Sequence, residues 1–144
     1  MIKTQILATL LAFTSLYVLP HTTFAQEPPT AEELQLSKDK VTYKAYIPAK
    51  YQLFKAIEGD LNKDGLKDVV LIVKATDPKA FVDHEYYGQL DRNRRGVIVL
   101  LNGKGKYIPI VSNLSCFSSE NEDGGVYFPP ELWMEIKNNL LSIY

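Results

Sequence analysis

Val69-Val70-Leu71-Ile72-Val73 constrains the fold of this chain more than any other stretch, because it enters an apolar run directly from an acidic loop. Five consecutive apolar residues, three Val and one Ile among them, are too few for an ordinary helix and too β-branched to favour one; they predict a buried strand. Thr76-Asp77-Pro78 closes it. Downstream, Gly96 to Leu101 and Tyr107 to Val111 predict two further strands. Asn102-Gly103-Lys104-Gly105-Lys106 joins them as a hairpin connection whose glycines permit positive φ. Pro109 lacks an N–H and therefore belongs at an edge or outward-facing position of its strand.

Extended structure is also expected over Tyr51 to Ile57. It is expected again over Val41 to Ile47, where Val41, Tyr43, Ala45 and Ile47 alternate with Thr42, Lys44 and Tyr46 before Pro48. Leu132, Met134 and Ile136 alternate as well, and Asn138-Asn139 then turns the chain into Leu140 to Tyr144. A terminal hairpin is the favoured reading, with a helix carrying Leu132, Ile136 and Leu140 as the alternative. Thr30-Ala31-Glu32-Glu33 has the form of a helix capping box, which fits a short helix or a frayed tail. Lys79 to Arg95 is polar, aromatic and charged, an excursion from the sheet with a helical turn. The fold class is mainly β, of the α+β type: a small antiparallel sheet with an inserted loop or helical segment.

Residues 1–25 read as a leader. Lys3 is basic, Ile6 to Leu19 is almost wholly apolar, and Thr23-Phe24-Ala25 has a small-x-small cleavage pattern. At about 14 residues the apolar run falls short of the ~20 needed to span a bilayer. Residues 26–40 form a polar N-terminal segment and 41–144 one β-rich domain. The expected location is periplasmic or secreted. A formal net charge of −1 and no sustained basic face argue against nucleic acid or anionic lipid as partner. With Cys116 the chain's lone cysteine, no internal disulfide can form in an oxidising compartment; it is expected as a small buried hydrophobe.

The loop itself, GDLNKDGLKD over 59–68, spaces oxygens at alternate positions. Counting Asp60 as position 1, Asn62 is 3, Asp64 is 5, the Leu66 carbonyl is 7 and Asp68 is 9, while Leu61, Lys63 and Lys67 are expected to point outward. Calcium takes six to eight oxygens in a flexible shell, and oxygen ligands without Cys or His favour a hard ion. Gly65 at position 6 allows the sharp turn. An EF-hand would need a bidentate Glu at position 12, where Leu71 stands inside the apolar run, so the pattern predicts a loop between two strands, closed by Asp68. The competing reading is a metal-free Asx turn in which the carboxylates cap backbone N–H groups.

This loop and its following strand, with Val99 to Tyr107 downstream, resemble one FG-GAP or VCBS-type repeat, the blade unit of integrin-like β-propellers. The resemblance covers about residues 52–110, with an insertion at 79–95, and implies Ca2+ held by Asp60, Asn62, Asp64, the Leu66 carbonyl and Asp68. A propeller needs ~4 to 8 blades; one acidic motif excludes a closed propeller for this chain. The chain also resembles a group of small exported bacterial proteins of unassigned function. They share Gly-Asp-Leu-Asn-Lys-Asp-Gly, Asp-Arg-Asn-Arg-Arg-Gly (Asp91 to Gly96) and the run Cys116 to Tyr127. That resemblance implies further Tyr- and Gly-rich strands beyond Tyr144, and hence a C-terminally shortened chain.

The functional expectation is a non-enzymatic binding module with structural calcium, its partner an unknown protein or small ligand. The alternative is an enzyme or inhibitor in which Arg92, Arg94 and Arg95 bind an anion within an 83–95 loop. His84 is the one histidine beyond the leader, and no Gly-x-Ser-x-Gly elbow or paired His/Cys signature occurs. Glu120, Glu122 and Asp123 are candidates for a second ion or for a turn before Gly124-Gly125.

Overall fold

The computed structural model describes residues 28–121 and 132–144. The expected leader and the turns at Asp123-Gly124-Gly125 and Pro129-Pro130 lie outside the described residues. A helix, α1 (Ala31–Thr42), begins on the Thr30 capping box. The Thr30 side chain accepts from the Glu33 N–H, and the Glu33 carboxylate accepts from the Thr30 N–H at 2.7 Å. The Thr30 backbone N–H, then its hydroxyl, hold the Glu33 carboxyl below the ordinary range. A 3-10 turn, Lys44–Tyr46, follows.

Eight strands follow among the described residues: β1 (Tyr51–Gly59), β2 (Asp68–Ala75), β3 (Phe81–His84), β4 (Gly88–Asp91), β5 (Arg95–Asn102), β6 (Tyr107–Phe117), β7 (Met134–Lys137) and β8 (Leu140–Ile143). The main sheet is antiparallel in the order β1-β2-β5-β6; β3-β4 and β7-β8 are separate two-stranded hairpins. The fold is mainly β, with one helix and no closed barrel or propeller among the described residues.

The Val69–Val73 run occupies the second strand of this sheet, and all five side chains are buried. Alternation sends them to two faces, each with its own cover. Val69, Leu71 and Val73 join Ile98 and Leu100 beneath Leu36, Tyr43, Tyr46 and Ile47 from the helical segment. Val70 and Ile72 join Val97 and Val99 on the opposite face, where Leu132, Met134, Ile136, Leu141 and Ile143 of the terminal hairpin lie over them. Continuous apolarity in an antiparallel strand thus follows from a three-layer arrangement, with helix and hairpin on opposite sides of the sheet.

The strand expected over Val41 to Ile47 is instead the end of α1 and the 3-10 turn. Packing explains the difference: Leu36 and Tyr43, seven residues apart on and just after α1, reach the sheet on one helix face and Ile47 follows after the 3-10 turn, while Val41 is 78% exposed. The Tyr43 hydroxyl donates to Glu58 of β1 at 2.8 Å, and its ring meets Tyr107 edge-on. Burial, followed by the neighbouring Glu58 carboxylate, drives the phenol far above its ordinary range. The helix end is therefore fastened to the sheet.

Pro109 lies on edge strand β6 beside a bulge, as its missing N–H requires. A second, larger irregularity sets Asn113 to Phe117 against Val97 to Arg95, so the β6 backbone folds over Gly96. Any Cβ there would overlap the Leu114 backbone and the Asn113 carbonyl oxygen. Gly96→Ala is expected to cost roughly 3 kcal/mol, because backbone has to move; chemical denaturation of the variant measures it. Cys116 is carried on this bulge of an edge strand and is exposed, not buried.

Candidate metal centre and the buried polar network

The 59–68 loop joins β1 to β2, as its sequence predicts, and folds onto its own backbone. Asp60 accepts from the N–H groups of Lys63 (2.7 Å) and Gly65 (3.0 Å). Asn62 Oδ1 accepts from the Asp64 N–H at 3.0 Å, and Asp64 accepts from the Leu66 N–H (2.8 Å) and the Asn62 side-chain amide (2.9 Å). These are Asx-type turns, and Lys63 and Gly65 supply the positive φ angles that close them. The Leu66 N–H, followed by the Asn62 amide, holds the Asp64 carboxyl below its ordinary value.

Asp68 behaves differently from the other three. It is fully buried at the head of β2; one oxygen accepts from the Leu61 N–H at 2.7 Å and the other from the Asn102 N–H at 2.9 Å. Asn102 returns the link by donating its amide to the Lys67 carbonyl. The carboxylate thus joins the acidic loop to the β5-β6 turn. Leu61, expected to point outward, packs beside Val70 and Ile136, and Lys67 pairs with Glu58 at the surface.

Among the described residues no cationic side chain forms an ion pair with Asp60, Asp64 or Asp68. Their oxygens accept backbone N–H groups and retain further lone pairs. Nor is any group of three His, Cys, Asp or Glu side chains gathered as a metal site among those residues. Carboxylate, amide and carbonyl oxygens in one short loop match a hard cation completed by water.

A second polar centre draws on both the Asp91 to Gly96 and the Cys116 to Asn121 runs. Lys74, buried near the end of β2, pairs with Asp91 at 2.8 Å and with Glu120. Asn93 is buried and binds the Asp77 backbone from both ends of its amide, while also donating to Asp91. Arg95, also buried, lies 5.2 Å from the Phe54 ring and donates to the Ser118 and Ser119 carbonyls. Asn121 donates to the Asp91 carbonyl at 3.0 Å. Burial opposes ionisation of both Lys74 and Asp91. Mutual pairing outweighs it, aided by Glu120 at the lysine and Asn93 at the aspartate, raising the lysine and lowering the aspartate.

This network fastens the 77–95 excursion to the sheet and places Arg94 and Arg95 differently. Arg95 is interior, and exposed Arg94 donates to the Ser115 carbonyl. Glu120 serves Lys74; Glu122 and Asp123 lie outside the described residues. The sequence signal for this centre is Lys74 itself, a charge placed directly after five apolar residues of a buried strand. No helix among the described residues is long and apolar enough to cross a membrane. Comparison with protein-family models, curated proteins and solved structures finds no match to this chain.

Proposed function

We propose that this chain is an exported, non-enzymatic binding module whose β1-β2 loop holds calcium for structural purposes. The observation that supports this reading is that Asp60, Asn62, Asp64 and Asp68 stand at alternate positions of one loop between two strands, with no cationic side chain among the described residues paired to the carboxylates. The backbone hydrogen bonds of Asp60, Asn62 and Asp64 are common to this reading and to a metal-free Asx turn. Asp60, Asn62, Asp64 and the Leu66 carbonyl are the groups that hold the ion, with Asp68 fixing the end of the loop and offering its remaining lone pairs. Bound calcium supplies charge balance and rigidity where β2 begins.

Calcium at about 10 mM is expected to raise the melting temperature on the order of 10 °C over a chelator control, for an affinity near 10⁻⁴ M. Asp64→Asn keeps an oxygen for the Leu66 N–H, removes the charge, and gives up only the exposed bond from the Asn62 amide, which water can replace. It should melt near the wild-type temperature in chelator and lose most of the calcium response. A wild-type protein indifferent to calcium, or an undiminished response in Asp64→Asn, rejects this site.

A further inference from the structure

We propose that the β3-β4 hairpin is the docking arm of this module, and that its tip receives a cationic, Lys- or Arg-bearing protein segment; this rests on reading the chain as a binding module. Among the described residues β3 and β4 pair with each other and with no strand of the main sheet, so they form a separate two-stranded sheet. Its base is held through Asp91 and Asn93 by the buried network around Lys74. The tip is therefore presented from a fixed base.

Tyr86 and Tyr87 at the tip are 79% and 76% exposed. His84 orders them: its Nδ1 accepts from the Tyr86 N–H at 3.1 Å, and its ring lies 4.9 Å from that of Tyr87. Tyrosines offer large amphipathic contact areas with few rotatable bonds, which lowers the ordering cost of binding. The hairpin from Phe81 to Asp91 contains Asp83, Glu85 and Asp91 and no Lys or Arg. Asp91 is taken by Lys74, while Asp83 and Glu85 are exposed beside the tyrosines. Carboxylates flanking aromatic faces complement a guanidinium or ammonium group, by ion pairing and by cation–π contact.

The test is an NMR titration of the whole domain, in calcium, with an alternating Arg-Gly peptide, an alternating Glu-Gly peptide of the same length, and chitohexaose. The Arg-Gly peptide is expected to shift the amides of residues 83–89, and Tyr86→Ala/Tyr87→Ala to weaken it about tenfold or more. Shifts centred on residues 60–64, equal binding in the double variant, or chitohexaose binding at the tip in place of the peptide overturns the proposal. Melting the same samples with and without calcium separates the two ideas. Loss of the arm with the calcium response intact leaves the module reading standing, whereas loss of the calcium response bears on the loop alone.

Discussion

Asp68→Ala is expected to lose ~3–5 kcal/mol, since it removes two hydrogen bonds to a buried carboxylate and strands two backbone donors. Those donors are the N–H groups of Leu61 and Asn102, and alanine offers neither an acceptor. A small domain has only about 5–15 kcal/mol in total, so the variant should lie at the margin of folding. With a urea slope near 2 kcal/mol/M, the midpoint should fall by roughly 2 M. Asp68→Asn should be similarly harmful, because its amide turns a donor toward one of the two N–H groups. A midpoint within about 0.5 M of wild type, measured in chelator so that metal plays no part, contradicts the role assigned to Asp68.

Lys74→Met has the second large effect. It leaves Asp91 and Glu120 together without the ammonium that separates them. Breaking a fully buried pair costs ~3–5 kcal/mol; with both carboxylates partly open to water, roughly 2–4 is expected. The damage should concentrate where the network acts. Hydrogen exchange is expected to quicken at residues 77–95 and 115–121 and to change less in β1.

The pH dependence has a fixed sign. Asp91 titrates below its unfolded value, so its contribution is complete above about pH 4 and disappears as pH falls through the lower, folded value. Lys74 titrates above its unfolded value, so its contribution is complete below about pH 10 and is lost as pH rises through the folded value. Wild type should therefore show a plateau across neutral pH, and Lys74→Met a lower plateau with a shallower acid limb. Unchanged acid limbs in the two proteins would contradict the pairing.

The strands of the main sheet were legible because their signal is local: β-branched runs, a glycine-rich connection and a proline on an edge. The acidic loop was legible for the same reason, since Asp60, Asn62 and Asp64 contact backbone only a few residues away. Alternation at Val41, Tyr43, Ala45 and Ile47 misled, because the helix begun at the capping box runs on to Thr42 and packs through Leu36 and Tyr43, with Ile47 added after the 3-10 turn. The excursion after Pro78 contains the expected helical turn, Pro78–Ala80, but the β3-β4 hairpin beyond it is built from short strands with weak apolar alternation. Asp68 as a brace to Asn102, and the gathering of Lys74, Asp91, Asn93 and Glu120, depend on strand order. Neither spacing nor residue type records which distant turn will lie beside a given carboxylate.

Asn139, in the β7-β8 turn, donates to the carbonyl of Asp60 at 2.7 Å, and Ile136 packs against Gly59 where no Cβ could fit. The acidic loop is thus finished by residues made almost eighty positions later. During synthesis the sheet can pair as soon as β6 is available, but the face bearing Val70 and Ile72 stays wet until residues 134–143 arrive. The cover of that face is consequently made after the sheet it lies on, and removing residues 134–143 should leave a paired but open sheet.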